Sequence, residues 1–195
     1  MNIKLKDMDA VKFNGIDIGA VKFNGEYVWR KGSVIVLNHS AGTFKASAEG
    51  DGLKWKYKDQ EVTSGSCNFT IDESDDNVYL LFDKELSKFT CNNDDKLLLD
   101  LSDLGGKITG TLSLGNCSNI TGVYSGQSYP KTVYLSNTGL SASDMDSTLI
   151  NFANSSVSNG TFTASNMTRT SASDEAVATL AGKGWEITGL TKVEA

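Results

Sequence analysis

His39 is the one histidine in this chain of 195 residues, and that alone removes much of the chemistry side chains can perform unaided. A Ser-His-Asp or Cys-His nucleophile needs an imidazole to take its proton, and a multi-histidine metal site needs more than one ring. His39 stands in Asn38-His39-Ser40, a polar run that reads as a solvent-exposed turn rather than the setting of a general base. Cys67, Cys91 and Cys117 are odd in number and lack Cys-x-x-Cys spacing. They read as free, buried thiols of a reducing compartment rather than a disulfide framework, with Cys91 and Cys117 as small apolar side chains in or beside strands. Asp72-Glu73-Ser74-Asp75-Asp76 and Asn92-Asn93-Asp94-Asp95 carry enough oxygen for calcium. Neither has the alternating ligands and distant glutamate of an EF-hand, so both read as solvated turns. No phosphate-cradling GxxxxGK[ST] loop occurs. No carboxylate pair stands in a cleft-forming context that glycoside hydrolysis would need. The expectation is a protein without catalytic, cofactor-binding or metal-binding residues: a binding or structural protein, not an enzyme.

Charge and hydropathy narrow the partners. A formal charge of −6 and a pI near 4.8 argue against nucleic acid, which selects a basic face. No run approaches the ~20 apolar residues that span a bilayer, so membrane insertion is not expected. The opening Met1-Asn2-Ile3-Lys4-Leu5-Lys6-Asp7 has no apolar stretch of the secretory kind, and no lipidation motif is expected at Asn2 or Ala195. Sequons such as Asn68-Phe69-Thr70, Asn119-Ile120-Thr121 and Asn166-Met167-Thr168 then read as an Asn/Ser/Thr-rich β surface.

Three segments position these residues. In the first, residues 1–32, Ala10-Val11-Lys12-Phe13-Asn14-Gly15 recurs ten residues later as Ala20-Val21-Lys22-Phe23-Asn24-Gly25. Asn-Gly between alternating apolar residues is a strong hairpin signal. Three strands are expected, Ala10 to Phe13, Ile16 to Phe23 and Glu26 to Arg30, forming a ribbon too small to stand alone. In the second, residues 33–88, Ser33-Val34-Ile35-Val36-Leu37, Leu53-Lys54-Trp55-Lys56-Tyr57, Cys67-Asn68-Phe69-Thr70-Ile71 and Val78-Tyr79-Leu80-Leu81-Phe82 are short strands separated by turn residues. They predict a small β-sandwich pinned by Trp55.

The third segment, residues 89–195, repeats an apolar-x-apolar-x-Asn pattern. It occurs at Phe89–Asn93, Leu112–Asn116, Val133–Asn137 and Phe162–Asn166, and with aspartate at Leu99–Asp103. Such repeats predict a solenoid whose apolar residues enter a core while Asn turns the chain by bonding exposed backbone. The early coils are too short for helices, and Ile120 to Tyr124 is expected to form a further coil. Ser141-Ala142-Ser143-Asp144 and Ser171-Ala172-Ser173-Asp174 predict two later helices. Their inward stripes are Met145, Leu149, Phe152, Ala153 and Ala176, Val177, Leu180, Ala181; Gly182 or Gly184 stops the second. Trp185-Glu186-Ile187-Thr188 closes the stack.

The fold class expected is therefore mainly β: an N-terminal hairpin ribbon, an immunoglobulin- or PKD-like sandwich, and a short leucine-rich-repeat-like solenoid with two C-terminal helices. Period-two alternation turns Thr90, Asp100, Ser113, Tyr134 and Thr163 to one outer face. That row is polar with one aromatic. It reads either as a recognition face for sugar or a polar protein surface, or as the polar exterior any such sheet needs.

The stretch from Val133 to Gly189 carries Leu135-Ser136-Asn137-Thr138-Gly139-Leu140-Ser141-Ala142-Ser143-Asp144 and Thr170-Ser171-Ala172-Ser173-Asp174 through Lys183-Gly184-Trp185-Glu186-Ile187. It resembles the C-terminal end of leucine-rich-repeat proteins encoded by tailed bacteriophages and gut bacteria, in which a PKD- or immunoglobulin-like domain often precedes the repeats. Val21-Lys22-Phe23-Asn24-Gly25-Glu26-Tyr27-Val28-Trp29 resembles the N-terminal motif of phage tail, fibre and appendage proteins. Two departures stand out: the early repeats are short, and the aspartate-rich turn of PKD-like domains is reduced to Lys58-Asp59-Gln60. The resemblance implies a virion structural protein assembled in the host cytoplasm, in multiple copies or as a homo-oligomer. The ribbon would hold other virion proteins and the distal part would meet a host-surface glycan or protein. A bacterial surface adhesin built from the same repeats is the alternative, and it requires an export signal.

Overall fold

The computed structural model describes residues 33–73 and 76–194 in full, and residues 11–13, 16–18, 20–23 and 26–30 as backbone. Strands β1 (Val11–Phe13) and β2 (Ile16–Ile18) pair antiparallel, and so do β3 (Ala20–Phe23) and β4 (Glu26–Arg30). The expected three-stranded ribbon is thus two separate two-stranded sheets, with the strand expected over Ile16 to Phe23 divided between them. Each pair takes its first strand from one copy of the ten-residue repeat. Asn14-Gly15 and Asn24-Gly25 themselves lie outside the described residues.

The rest of the chain builds two mixed sheets. Its strands are β5 (Ser33–His39), β6 (Gly42–Glu49), β7 (Lys54–Tyr57), β8 (Gln60–Val62), β9 (Ser66–Ile71), β10 (Asp76–Phe82), β11 (Leu86–Thr90), β12 (Leu97–Asp100), β13 (Ile108–Ser113), β14 (Ile120–Thr121), β15 (Thr132–Tyr134), β16 (Thr161–Arg169) and β17 (Glu186–Lys192). Helix α1 (Ala142–Asn154) precedes β16, and α2 (Asp174–Gly182) precedes β17. The six-stranded sheet runs β14-β12-β5-β10-β7-β8, and the seven-stranded sheet runs β17-β16-β15-β13-β11-β6-β9. The fold is mainly β, as the turn-punctuated alternation predicts.

The seven-stranded sheet changes character at β11. This strand pairs antiparallel with β6 and parallel with β13, and every later neighbour is parallel. The boundary expected after Lys88 therefore falls inside a strand. Ile35, Phe44, Trp55 and Phe69 before it and Leu112, Tyr124, Phe152 and Trp185 after it belong to one contiguous apolar cluster. Trp55 is fully buried, the pin the alternation predicts.

Parallel strands need long return paths, and the repeat lengths decide what fills them. The separations between successive repeat asparagines are 23, 21 and 29 residues. The two short returns pass through β12 and β14, which join the six-stranded sheet side by side. Ile120 and Thr121, expected in a further coil, form β14 and pair with β12 in the six-stranded sheet. The long return holds α1, which Ser141 caps by accepting from the Asp144 N–H while donating to its carboxylate. Met145, Leu149, Phe152 and Ala153 are its buried stripe, as expected. In α2, Ala176 and Leu180 are buried and Val177 half-buried, whereas Ala181 faces solvent. Gly184, at φ +79°, ends α2: its N–H bonds the Ala181 carbonyl and the Trp185 N–H bonds that of Leu180, the αL termination for which glycine is suited.

Candidate binding face

Register places the outer face. Phe89, Leu112, Val133, Phe162 and Ile187 align across β11, β13, β15, β16 and β17; the first four are buried and Ile187 half-buried. One residue on, Thr90, Ser113, Tyr134, Thr163 and Thr188 align on the opposite face. The antiparallel side continues the row, because Thr90 pairs with Ser47 and Ser47 with Ser66. A hydroxyl side chain thus stands on each strand of the seven-stranded sheet. Tyr134, 42% exposed, is the large aromatic of the row. Four of the five residues expected on this face meet there.

The fifth, Asp100, does not. It ends β12 in the other sheet, opposite Thr121, and its carboxylate accepts from the Ser102 N–H to start a turn of 3₁₀ helix. Leu99–Asp103 mimics the repeat in composition, but β12 is a return strand, so its outward residue serves another surface. Ser47, Ser66 and Thr188 escaped the sequence reading. The alternation of Phe44, Ala46 and Ala48 with Lys45 and Ser47 could have disclosed the first.

Two flanking rows frame the hydroxyls. On one side Glu49, Lys88, Thr111, Thr132, Thr161 and Glu186 align, and Lys88 lies 3.1 Å from Glu49 in an ion pair. On the other, Asn92 accepts from the Gly115 N–H and the Ser113 hydroxyl, and the Ser136 hydroxyl accepts from the Ser165 N–H. A groove of about 380 Å³ crosses the end of the row over Lys45, Ser47, Ser66, Asn68, Thr90 and Asn92.

The rim of this face is an asparagine ladder. Asn93, Asn116, Asn137 and Asn166 all adopt φ between +54° and +62°. The Nδ2 of each later residue donates to the Oδ1 of the one before at 2.7 Å. The repeat asparagines therefore bond one another, where the sequence predicted bonds to backbone. Asparagine is suited twice over, tolerating αL backbone and carrying both donor and acceptor. Asn137→Ala is expected to cost about 2 kcal/mol, the αL penalty plus the lost amide bonds. Asn137→Gly, free of the αL penalty, should cost about 1 kcal/mol less. Urea unfolding of both variants checks this; equal costs would mean that backbone conformation does not select the asparagine.

Beneath the ladder's first rung lies a buried polar cluster. His39 is not in an exposed turn: it is the last residue of β5 and fully buried. Its Nε2 lies 3.1 Å from both carboxylate oxygens of Asp94, and its Nδ1 has no partner among the described residues. The Phe44 ring meets it edge-on at 5.4 Å. Asp94, expected in a solvated turn, is buried and also accepts from the Lys96 N–H. The local polarity was read correctly, but tertiary pairing of two polar residues brings both inside. Cys91 donates to Asp94 at 3.8 Å, and Cys117 donates to the Cys91 carbonyl at 3.1 Å.

All three cysteines are free and buried. The neighbouring Cys117 thiol, with burial, pushes the Cys91 thiol well above the usual range, and burial pushes Cys67 up to about 12. Both stay protonated and make poor nucleophiles. Among the described residues no three of His, Cys, Asp and Glu converge on a point suited to a metal ion. The other acidic turn is exposed at Asp72 and Glu73 and half-buried at Asp76. Asp72, Glu73 and Asp76 gather round the Lys58 ammonium at 2.8, 3.3 and 3.4 Å, and Lys58 holds the Asp72 carboxyl down at about 2 with help from the Tyr57 hydroxyl. Ser74 and Asp75 lie outside the described residues. No helix among the described residues is long and apolar enough to cross a membrane. Comparison with family models, with curated proteins and with solved structures finds no match to this chain.

Proposed function

We propose that this chain is a non-catalytic structural protein of a tailed-bacteriophage virion, part of a tail, fibre or capsid-surface appendage. In this reading an immunoglobulin-type sandwich passes into a short leucine-rich-repeat-like stack closed by α2 and β17. The N-terminal hairpins hold other virion proteins, the chain is present in several copies, and the outer face of the seven-stranded sheet meets the host surface. The observation that carries the reading is that continuous face, a hydroxyl row crossing antiparallel and parallel strands alike. It offers a single broad surface for recognition. The likeness of Val21–Trp29 to phage tail, fibre and appendage proteins, and of Val133–Gly189 to leucine-rich-repeat proteins of tailed phages and gut bacteria, supports the assignment to a virion. A bacterial surface adhesin could use the same face, and immunogold labelling of purified virions separates the two.

The attachment role has a direct test. Deleting Met1 to Lys31 is expected to abolish incorporation into virions, measured by immunoblotting of purified particles, while the far-ultraviolet spectrum keeps its β signature. Normal incorporation of the truncated protein would place attachment elsewhere.

A further inference from the structure

We infer that the groove over β9, β6 and β11, together with Tyr134, forms a binding site for a neutral polysaccharide. The inference rests on the reading of this sheet as a recognition face and names its ligand. The groove's polar lining is Ser47, Ser66 and Thr90 with Asn68, Asn92 and Lys45. Hydroxyls and amides both donate and accept, which matches the hydroxyls of a sugar ring. The depression is shallow and open to solvent, so a polymer lies along it rather than inside it.

Tyr134 supplies the second element. It stands two strands from Thr90 through Ser113, about 10 Å at ordinary strand spacing. An exposed ring there offers an apolar face for a pyranose to stack upon and a hydroxyl at its tip. A chain of a few sugar units lying across the strands reaches from the groove to the ring, with Ser113 between.

The charges and apolar groups of the face argue against other occupants. Among the described residues Lys45 is the one cationic side chain lining the groove, and Lys88 beside it is paired with Glu49. An anionic polymer or nucleic acid therefore finds little to hold it. A protein partner calls for a desolvated centre of aromatic and arginine anchors. Of the large hydrophobics exposed among the described residues, Val36, Tyr134, Ile150 and Val193, Tyr134 alone belongs to the row.

Affinity electrophoresis of the full chain tests the site. Native gels would contain dextran, mannan or amylose as neutral polymers, or alginate as an anionic one. The expected result is retardation in at least one neutral gel and none in alginate. Tyr134→Ala and Ser47→Asp should each weaken it at least fivefold, while Thr179→Ala, on α2, leaves it unchanged. Thermal melts confirm that the variants remain folded. Absence of retardation by all three neutral polymers overturns the proposal; so does retardation by alginate alone, or retardation indifferent to both face variants. The readout needs no virion, so its failure is distinct from failure of the attachment test.

Discussion

Phe89→Ala is expected to lower the stability of the whole protein by about 3–5 kcal/mol, the usual cost of truncating a buried phenylalanine. Phe89 is fully buried in β11. Its backbone partners are Ala48 on the antiparallel side and Leu112 on the parallel side, and its ring lies 6.4 Å from that of Trp55. Removing the ring opens a cavity where both parts of the core meet. A shared strand and one contiguous cluster couple those parts, so one cooperative transition should move as a unit, its midpoint falling by about 6–20 °C for a chain of this size. Far-ultraviolet circular dichroism and tryptophan fluorescence should report the same midpoint. Among the described residues, Trp55 lies before β11 and Trp185 after it, immediately ahead of β17. Two transitions, only one of them shifted, would show that residues before and after β11 fold independently.

How far the sequence could reveal this arrangement depends on the range of the interactions. Local signals were legible. Ser141 with Asp144 marked the start of α1, and Trp55 on an alternating strand marked the core. The apolar-x-apolar-x-Asn pattern fixed which residues of β11, β13, β15 and β16 align. The face could be read because period two and parallel register carry Thr90, Ser113, Tyr134 and Thr163 along together. What escaped depends on which sheet a strand joins. Leu99–Asp103 fits the pattern as well as its neighbours do, yet β12 pairs with β5 and β14. Nothing within five residues distinguishes a front strand from a return strand. His39 and Asp94 illustrate the same point, since each is polar within a polar run and only their pairing across the fold makes burial tolerable.

That pairing carries the other large expected effect. Asp94→Ala should destabilise the protein by about 3–5 kcal/mol, because removing the carboxylate leaves several buried polar groups without their partner, at about 1–3 kcal/mol each. The ring would keep an Nδ1 unpartnered among the described residues and lose the Asp94 carboxylate from its Nε2. The Lys96 N–H and the Cys91 thiol would lose their acceptor as well. The damage is structural in consequence because the pair spans a junction. His39 ends β5 and faces Leu97 of β12 across the strands, while Asp94 follows Asn93, the ladder's first rung. Asp94→Asn keeps an acceptor oxygen and should cost less than Asp94→Ala. Replacing both partners together, as His39→Leu with Asp94→Leu, removes the orphaned polar atoms and should be milder than Asp94→Ala alone, since apolar substitutes of similar volume often match a buried pair. Urea unfolding of the three variants gives the ranking. A cost below about 1 kcal/mol for Asp94→Ala, the level of an exposed ion pair, would mean that the cluster does not brace the junction.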